Sequence, residues 1–173
     1  MMRYHDEEWG VPLHDDRALF ESIVLDGFQA GLSWRTVLHK REAFRSAFKG
    51  FAPQIVASFE ERDVRRLLAD PGIVRNRLKV LAAIGNARCF LQAAEEHGSS
   101  NNYIWKFTGH KTLRALPRSK SDATPTKSEE SDAMSADLRR RGFKFVGTTI
   151  CYAFMQAAGM VNDHATTCWR APR

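Results

Sequence analysis

Asp26 and Trp34, eight residues apart in Leu25-Asp26-Gly27-Phe28-Gln29-Ala30-Gly31-Leu32-Ser33-Trp34, are the two side chains that the sequence best equips for chemistry. A carboxylate beside an aromatic face suits a flat ligand with positive charge, held by Coulomb attraction at its edge and cation–π attraction at its face. Each residue alone has a plainer reading: an acid at the border of a core pairs with an arginine, and a large aromatic at a helix start packs inward. The positioning elements can be read as well. Leu19, Phe20, Ile23, Val24 and Gly27 recur at helical spacing behind an N-cap at Asp16, which predicts a helix from about Arg17 to Phe28 with Asp26 on the edge of its apolar stripe. There the carboxylate also meets the negative end of the helix dipole. Gly31 breaks that helix, Ser33 caps the next, and Trp34 takes its first position, so both side chains converge on one corner. The second helix is expected to run through Val37, Leu38, Phe44 and Phe48 to about Lys49-Gly50.

A second candidate site is the turn Asp70-Pro71-Gly72. Pro53 starts a short helix before it, and Ser58 with Glu61 has the form of a capping box for a helix carrying Val64, Leu67 and Leu68 inward. From Ile73 a long helix is expected, with Val80, Leu81, Ile84, Ala87, Leu91 and Ala94 on one stripe. A glycine turn between such helices aims backbone N–H groups outward at a helix N-terminus, where the dipole favours anions, so it can hold a phosphate without reading a base. Arg75, Arg77 and Lys79, immediately after the turn, favour that reading over a plain helical hairpin.

The tail supplies a third site. His164 and Cys168 lie four residues apart, and His5 at the opposite end of the chain could join them in clamping both ends on zinc. The spacing by itself is a weak signal, and three ligands leave a tetrahedral site open.

The remaining chain sets the background. Tyr103 to Phe107 reads as a short buried helical element, and residues 109–131, with Ser119 to Lys127 inside them, as a surface loop. Ser128 or Ser131 caps a helix ending at Gly142, and Val146 to Ala158 makes another, closed by Gly159. Strand-type alternation does not persist anywhere and no internal repeat is present, so the fold class is all-α. With 173 residues, 43% of them hydrophobic, the chain can bury one core and is expected to form a single domain. A formal charge of +6 points to an anionic partner, most of all at Arg62, Arg65, Arg66, Arg75, Arg77 and Lys79 and at Arg139, Arg140, Arg141 and Lys144. The apolar runs are too short to span a bilayer, there is no secretory signal, and Cys89, Cys151 and Cys168 do not form a disulfide framework. A cytoplasmic location without a membrane partner is therefore expected.

Several long strings in this chain resemble the bacterial type I 3-methyladenine DNA glycosylases, a branch of the helix-hairpin-helix glycosylase superfamily. They are Tyr4 to Pro12, Gly27 to Leu38, Gly72 to Arg75, Ile84 to Arg88, and Arg141 to Tyr152 through Val161 to His164, and together they cover nearly the whole chain. The resemblance implies two helical lobes, about 16–98 with the hairpin and about 1–15 with 99–173, joined by the termini at a structural zinc site. It implies a monomer that acts on double-stranded DNA with alkylated bases, flips out the damaged nucleotide and hydrolyses the N-glycosidic bond to 3-methyladenine without cutting the strand. In that role Asp26 contacts the methylated base, Tyr4 and Trp34 stack around it, and Trp9 lines the pocket. The hairpin at Gly72 and Ile73, with Arg75, Arg77 and Lys79, holds the DNA backbone, and Gly31 and Leu32 lie against the gap left by extrusion. His5, His164 and Cys168 become zinc ligands.

Two departures accompany the resemblance. The family usually has glutamate where this chain has Asp26, a side chain one methylene longer, and its fourth zinc ligand is a cysteine upstream of the tyrosine-histidine pair that this sequence does not contain. Glycosylases of this superfamily that act on more stable lesions use an aspartate about twenty residues beyond the hairpin glycine, where this chain has Phe90, Leu91 and Gln92. That agrees with a labile substrate. The competing readings are a glycosylase for another alkylated base such as 3-methylguanine, a non-catalytic helix-hairpin-helix DNA-binding protein, and, more distantly, a zinc hydrolase using Asp6 or Asp163.

Overall fold

The computed structural model describes residues 1–114 and 124–171. Its helices run in the order α1 (Met2–Glu7), α2 (Asp16–Gln29), α3 (Trp34–His39), α4 (Arg41–Ala47), α5 (Pro53–Ala57), α6 (Glu61–Ala69), α7 (Arg77–His97), α8 (Ser100–Trp105), α9 (Glu129–Arg140) and α10 (Thr148–Ala157). The mostly helical expectation holds, with one exception. Leu113–Arg114 (β1) and Val161–Asn162 (β2) form a two-residue parallel bridge, too short to leave an alternating pattern in the sequence.

Helix α2 packs against both α7 and α10. Leu19, Phe20, Ile23, Val24, Leu25 and Phe28 are all at most 4% exposed, so α2 buries more than the single stripe that periodicity suggested. Its N-cap is Asp15, whose side chain accepts from the Ala18 N–H, and not Asp16. Asp16 instead reaches across to accept from the Ser100 and Asn101 N–H groups, capping α8 from outside. Other boundaries differ for equally local reasons. The long helix expected after Trp34 divides at Lys40 into α3 and α4. The capping box of α6 is formed by Glu60 and Asp63, while the Ser58 hydroxyl donates back to the Ile55 carbonyl. Helix α7 begins at Arg77 and not at Ile73, because Asn76 provides the N-cap by accepting from the Lys79 N–H. The stretch Ser119 to Lys127 lies partly outside the described residues.

The opening segment contains helix α1 and is fastened along its length. The Leu13 N–H donates to the Ala158 carbonyl at 3.0 Å, the Trp105 indole N–H donates to the Leu13 carbonyl at 2.8 Å, and the Arg170 Nε donates to the Asp6 carbonyl at 3.0 Å. Gly159 makes this docking possible: its φ is +68°, and a Cβ there would sit 2.4 Å from the Val11 carbonyl carbon. The substitution Gly159→Ala is expected to cost at least about 2 kcal/mol, combining left-handed strain with backbone overlap. Thermal melting with limited proteolysis of residues 1–13 checks it; an unchanged melting temperature and an uncut segment would contradict the account.

Candidate active site

Asp26, one turn from the end of α2, is 2% exposed and faces a cavity of about 320 Å³. Among the described residues its carboxylate takes one hydrogen bond, from the Ser22 hydroxyl one turn earlier at 3.3 Å, and pairs with no cation. Burial in an apolar setting therefore dominates and pushes the carboxyl up to about 8, against which the serine contact works only weakly. The arginine-paired alternative for Asp26 is not what the structure shows. Other acids do hold arginines: Glu21 receives Arg41 Nε at 2.6 Å and Arg45 Nε at 3.0 Å, and Arg41 also binds Glu8.

The cavity is lined by Tyr4, His5 and Trp9 from the opening segment, Asp26 and Gln29 from α2, Trp34 from α3, and Ala153, Gln156 and Ala157 from α10. Its volume falls at the lower end of the range of small-ligand pockets, about 300 to 1,000 Å³. Local sequence explains both its walls and its emptiness. Gly31, at φ +77°, ends α2, and the Ser33 hydroxyl accepts from the Thr36 N–H to start α3, which brings Trp34 to the same cavity as Asp26. Opposite them α10 presents Ala153 and Ala157, a turn apart, whose methyl groups leave room. The Tyr4 and Trp34 rings meet at 5.4 Å with a 47° tilt. Burial, aided by the Asp26 charge, pushes the Tyr4 phenol far up, so it stays a protonated donor. Trp34 is half-buried and its indole N–H, enclosed in the wall, has no acceptor among the described residues. Tyr4, Trp9, Asp26 and Trp34 are thus brought together as expected. Gln29 and Gln156 were not foreseen; Gln29, three residues after Asp26 on the same helix face, carried a usable signal, and Gln156 carried none.

His5, His164 and Cys168 also converge, with their ligating atoms all within 4.8 Å of one another. The His5 Nε2 lies 3.6 Å from the Cys168 sulfur, while His5 Nδ1 meets Asp6 Oδ1 at 2.8 Å and His164 Nδ1 meets Asn162 Oδ1 at 2.9 Å. Metal–nitrogen bonds of about 2.0 Å and metal–sulfur bonds of about 2.3 Å put tetrahedral ligands roughly 3.5 Å apart, and outer oxygens commonly orient ligating histidines, so this donor set fits zinc. Trp9 joins the cluster to the cavity: its ring stacks on His5 at 6.0 Å and meets His164 edge-on at 4.5 Å.

The turn after α6 is less open than expected. The Gly72 N–H donates to Asp70 Oδ1 at 2.7 Å, the Ile73 N–H donates to the Asp70 carbonyl at 3.4 Å, and the Ile73 side chain is buried. The Val74 and Arg75 N–H groups have no acceptor among the described residues, and the Arg75 side chain is exposed and unpaired there, so these groups remain available to an anion. Arg77 makes an exposed two-pronged pair with Glu61 at 3.1 Å. Lys79 corrects the expectation of a phosphate contact: it is buried, and its ammonium donates to the Phe28 and Ala30 carbonyls, the nearest anion-like partners in a dry setting. Leu32 is 42% exposed at the corner beside Gly31. Phe90, in the window where an aspartate would stand for more stable lesions, is fully buried core.

Residues 1–171 match the methyladenine glycosylase family. The chain belongs to that family. It is 52% identical over 165 residues to DNA-3-methyladenine glycosylase 1 of Escherichia coli K12, an alignment covering 95% of this chain and 88% of the relative. It is 46% identical over 167 residues to the DNA-3-methyladenine glycosylase of Haemophilus influenzae, covering 95% and 89%. Among solved structures, 3-methyladenine DNA glycosylase I of Staphylococcus aureus, described for its recognition of 3-methyladenine, superposes with a TM-score of 0.95 at 35% identity, covering 99% of this chain and 91% of that one. No helix among the described residues of this glycosylase-family chain is long and apolar enough to cross a membrane.

The sign of the Asp26 effect on stability follows from its raised pKa. Below the unfolded value of 3.8 both states hold the proton and nothing is lost. From there to about 8 the unfolded chain ionises while the folded one keeps its proton, so folding weakens as pH rises, and above about 8 the loss is constant. Asp26→Asn is therefore expected to melt at least about 3 °C above wild type at pH 8, with the gap closing toward pH 4. A wild type that melts higher than the variant at pH 8 would contradict the burial argument.

Proposed function

We infer that this chain removes 3-methyladenine from alkylated DNA by hydrolysing its N-glycosidic bond, the first step of base-excision repair. The observation that carries the reading is a buried carboxylate with no cationic partner among the described residues, facing a cavity walled by Tyr4, Trp9 and Trp34, in a chain half identical to a glycosylase named for that base.

The chemistry requires little of the protein. Methylation at N3 leaves the adenine cationic, so cleavage of the bond to the sugar C1′ returns the electron pair to the ring and releases a neutral base. Water then bonds to C1′ and gives up its proton, and the strand is not cut. What the enzyme must supply is selection and extrusion. A flipped cationic purine brings to Asp26 the charge it lacks, so ionised Asp26 and bound base stabilise each other in a site where water screens neither. Tyr4 and Trp34, which already touch each other, offer the ring an aromatic wall, and Trp9 closes the slot. A neutral adenine gives Asp26 no such counter-charge, and its extrusion costs more because its pair is intact.

Extrusion falls to the surface beside the slot. The turn at Gly72, with the Val74 and Arg75 N–H groups, Arg75 and Arg77, holds a backbone phosphate as a helix-hairpin-helix element, and Leu32 beside Gly31 enters the vacated space. His5, His164 and Cys168 would hold a structural zinc ion that pins the chain ends and, through Trp9, the wall of the slot. The ion supplies no step of the reaction. The protein acts as a cytoplasmic monomer in this reading.

Release of free base from methylated duplex DNA tests the function. Wild type is expected to release 3-methyladenine, and Asp26→Asn to lower the single-turnover rate at least about a hundredfold, the scale of losing a charge-assisted contact in a dry site. Release of 3-methylguanine alone, DNA binding without release, or an unchanged rate in Asp26→Asn would each overturn it. Metal analysis is expected to find one zinc per chain, with chelation lowering the melting temperature by several degrees; no bound zinc would remove the metal from the account.

A further inference from the structure

Two buried or half-buried lysines bind backbone carbonyls in opposite directions between the glycine turn and the slot. Lys79, the third residue of α7, is 8% exposed, and its ammonium donates to the Phe28 carbonyl at 2.8 Å and the Ala30 carbonyl at 2.5 Å, with the Phe145 ring 5.9 Å away. These carbonyls belong to the end of α2, where carbonyls lack partners within the helix and the dipole is negative. Lys40, between α3 and α4, returns the contact: its ammonium donates to the Pro71 carbonyl at 3.0 Å and the Gly72 carbonyl at 3.2 Å. The corner that carries Gln29, Gly31, Leu32 and Trp34 is thus held by the helix that follows the turn, and the turn is held by the segment that follows the corner.

Packing alone does not account for the charge. An ammonium taken out of water loses hydration that two carbonyls only partly replace, and desolvation lowers the Lys79 pKa accordingly. A methionine would fill the same space without that cost. What the ammonium adds is direction, because two short hydrogen bonds fix the helix end relative to α7 where apolar contact would let it slide.

We propose that Lys79, with Lys40, is a positioning clamp that sets Leu32 and the slot at a fixed offset from the phosphate held at the turn, so that gripping the DNA backbone places the wedge in register with the base to be extruded. This rests on the functional reading above. Lys79 does not line the cavity, so it acts on extrusion and not on recognition of the base.

The test compares Lys79→Met with wild type in two assays: single-turnover release of 3-methyladenine from methylated duplex DNA, and binding of free 3-methyladenine followed by tryptophan fluorescence. The expected result is a loss of tenfold or more in release with free-base affinity within twofold of wild type, and partial recovery of release in Lys79→Arg. A parallel loss in both assays would show a merely structural role and overturn the proposal, as would an unchanged release rate. If Lys79→Met does not fold, Lys40→Met takes the same two assays with the same expected and overturning results. A wild type that releases no base from duplex DNA refutes the functional reading instead, whereas an active wild type with an equally active Lys79→Met refutes the clamp alone.

Discussion

A carboxylate buried with no counter-charge among the described residues is the constraint on which the rest of this structure depends. Asp26 could have been neutralised by an arginine, and the chain has arginines to offer: Arg41 and Arg45 stand one helix away, both bound to Glu21. Keeping them there leaves the acid to face an aromatic cavity with one serine hydroxyl in attendance. Such a group is costly when the site is empty, since its charged form lacks solvation. The same lack is what makes it selective. A ligand with positive charge removes the penalty, and a neutral ligand of the same shape does not, so discrimination arises from an unsatisfied group more than from added contacts.

The walls of the slot come from distant parts of the chain, and the architecture is arranged to bring them together. One wall is the end of α2 and the start of α3, separated by the sharp turn at Gly31. A second is α10, with small residues facing inward. The third is the opening segment, which has no core of its own and depends on fastening: the Leu13 and Ala158 backbone contact, the close approach at Gly159, the Arg170 bond to Asp6, and the cluster of His5, His164 and Cys168. Trp9 sits between that cluster and the cavity, so a tie between chain ends also positions an aromatic wall.

Much of this was legible in the sequence, and the reasons for success and failure are physical. The corner at Gly31, the cap at Ser33 and the placement of Trp34 depend on backbone rules that act within a few residues, and they were read correctly. The neighbourhood of Asp26 is not legible there, because its partner, or lack of one, is decided by tertiary packing. Asp16 and Lys79 show the same limit more sharply. Asp16 reads as the cap of its own helix and caps another, and Lys79 reads as part of a basic surface and lies buried against the end of α2. A side chain long enough to cross to another element escapes any argument built on sequence neighbours. The bridge between β1 and β2 was missed because two residues cannot show a period.

The pH dependence of kcat/KM for 3-methyladenine release tests the central claim most directly, because it reports the ionisation of groups in the free enzyme. If Asp26 must be ionised to receive the cationic base, and burial holds its proton up to about 8, the profile rises with pH toward a plateau above about 8. In Asp26→Asn that rising limb disappears. A wild-type profile already flat above pH 5, or a limb near 8 that persists in Asp26→Asn, would contradict it.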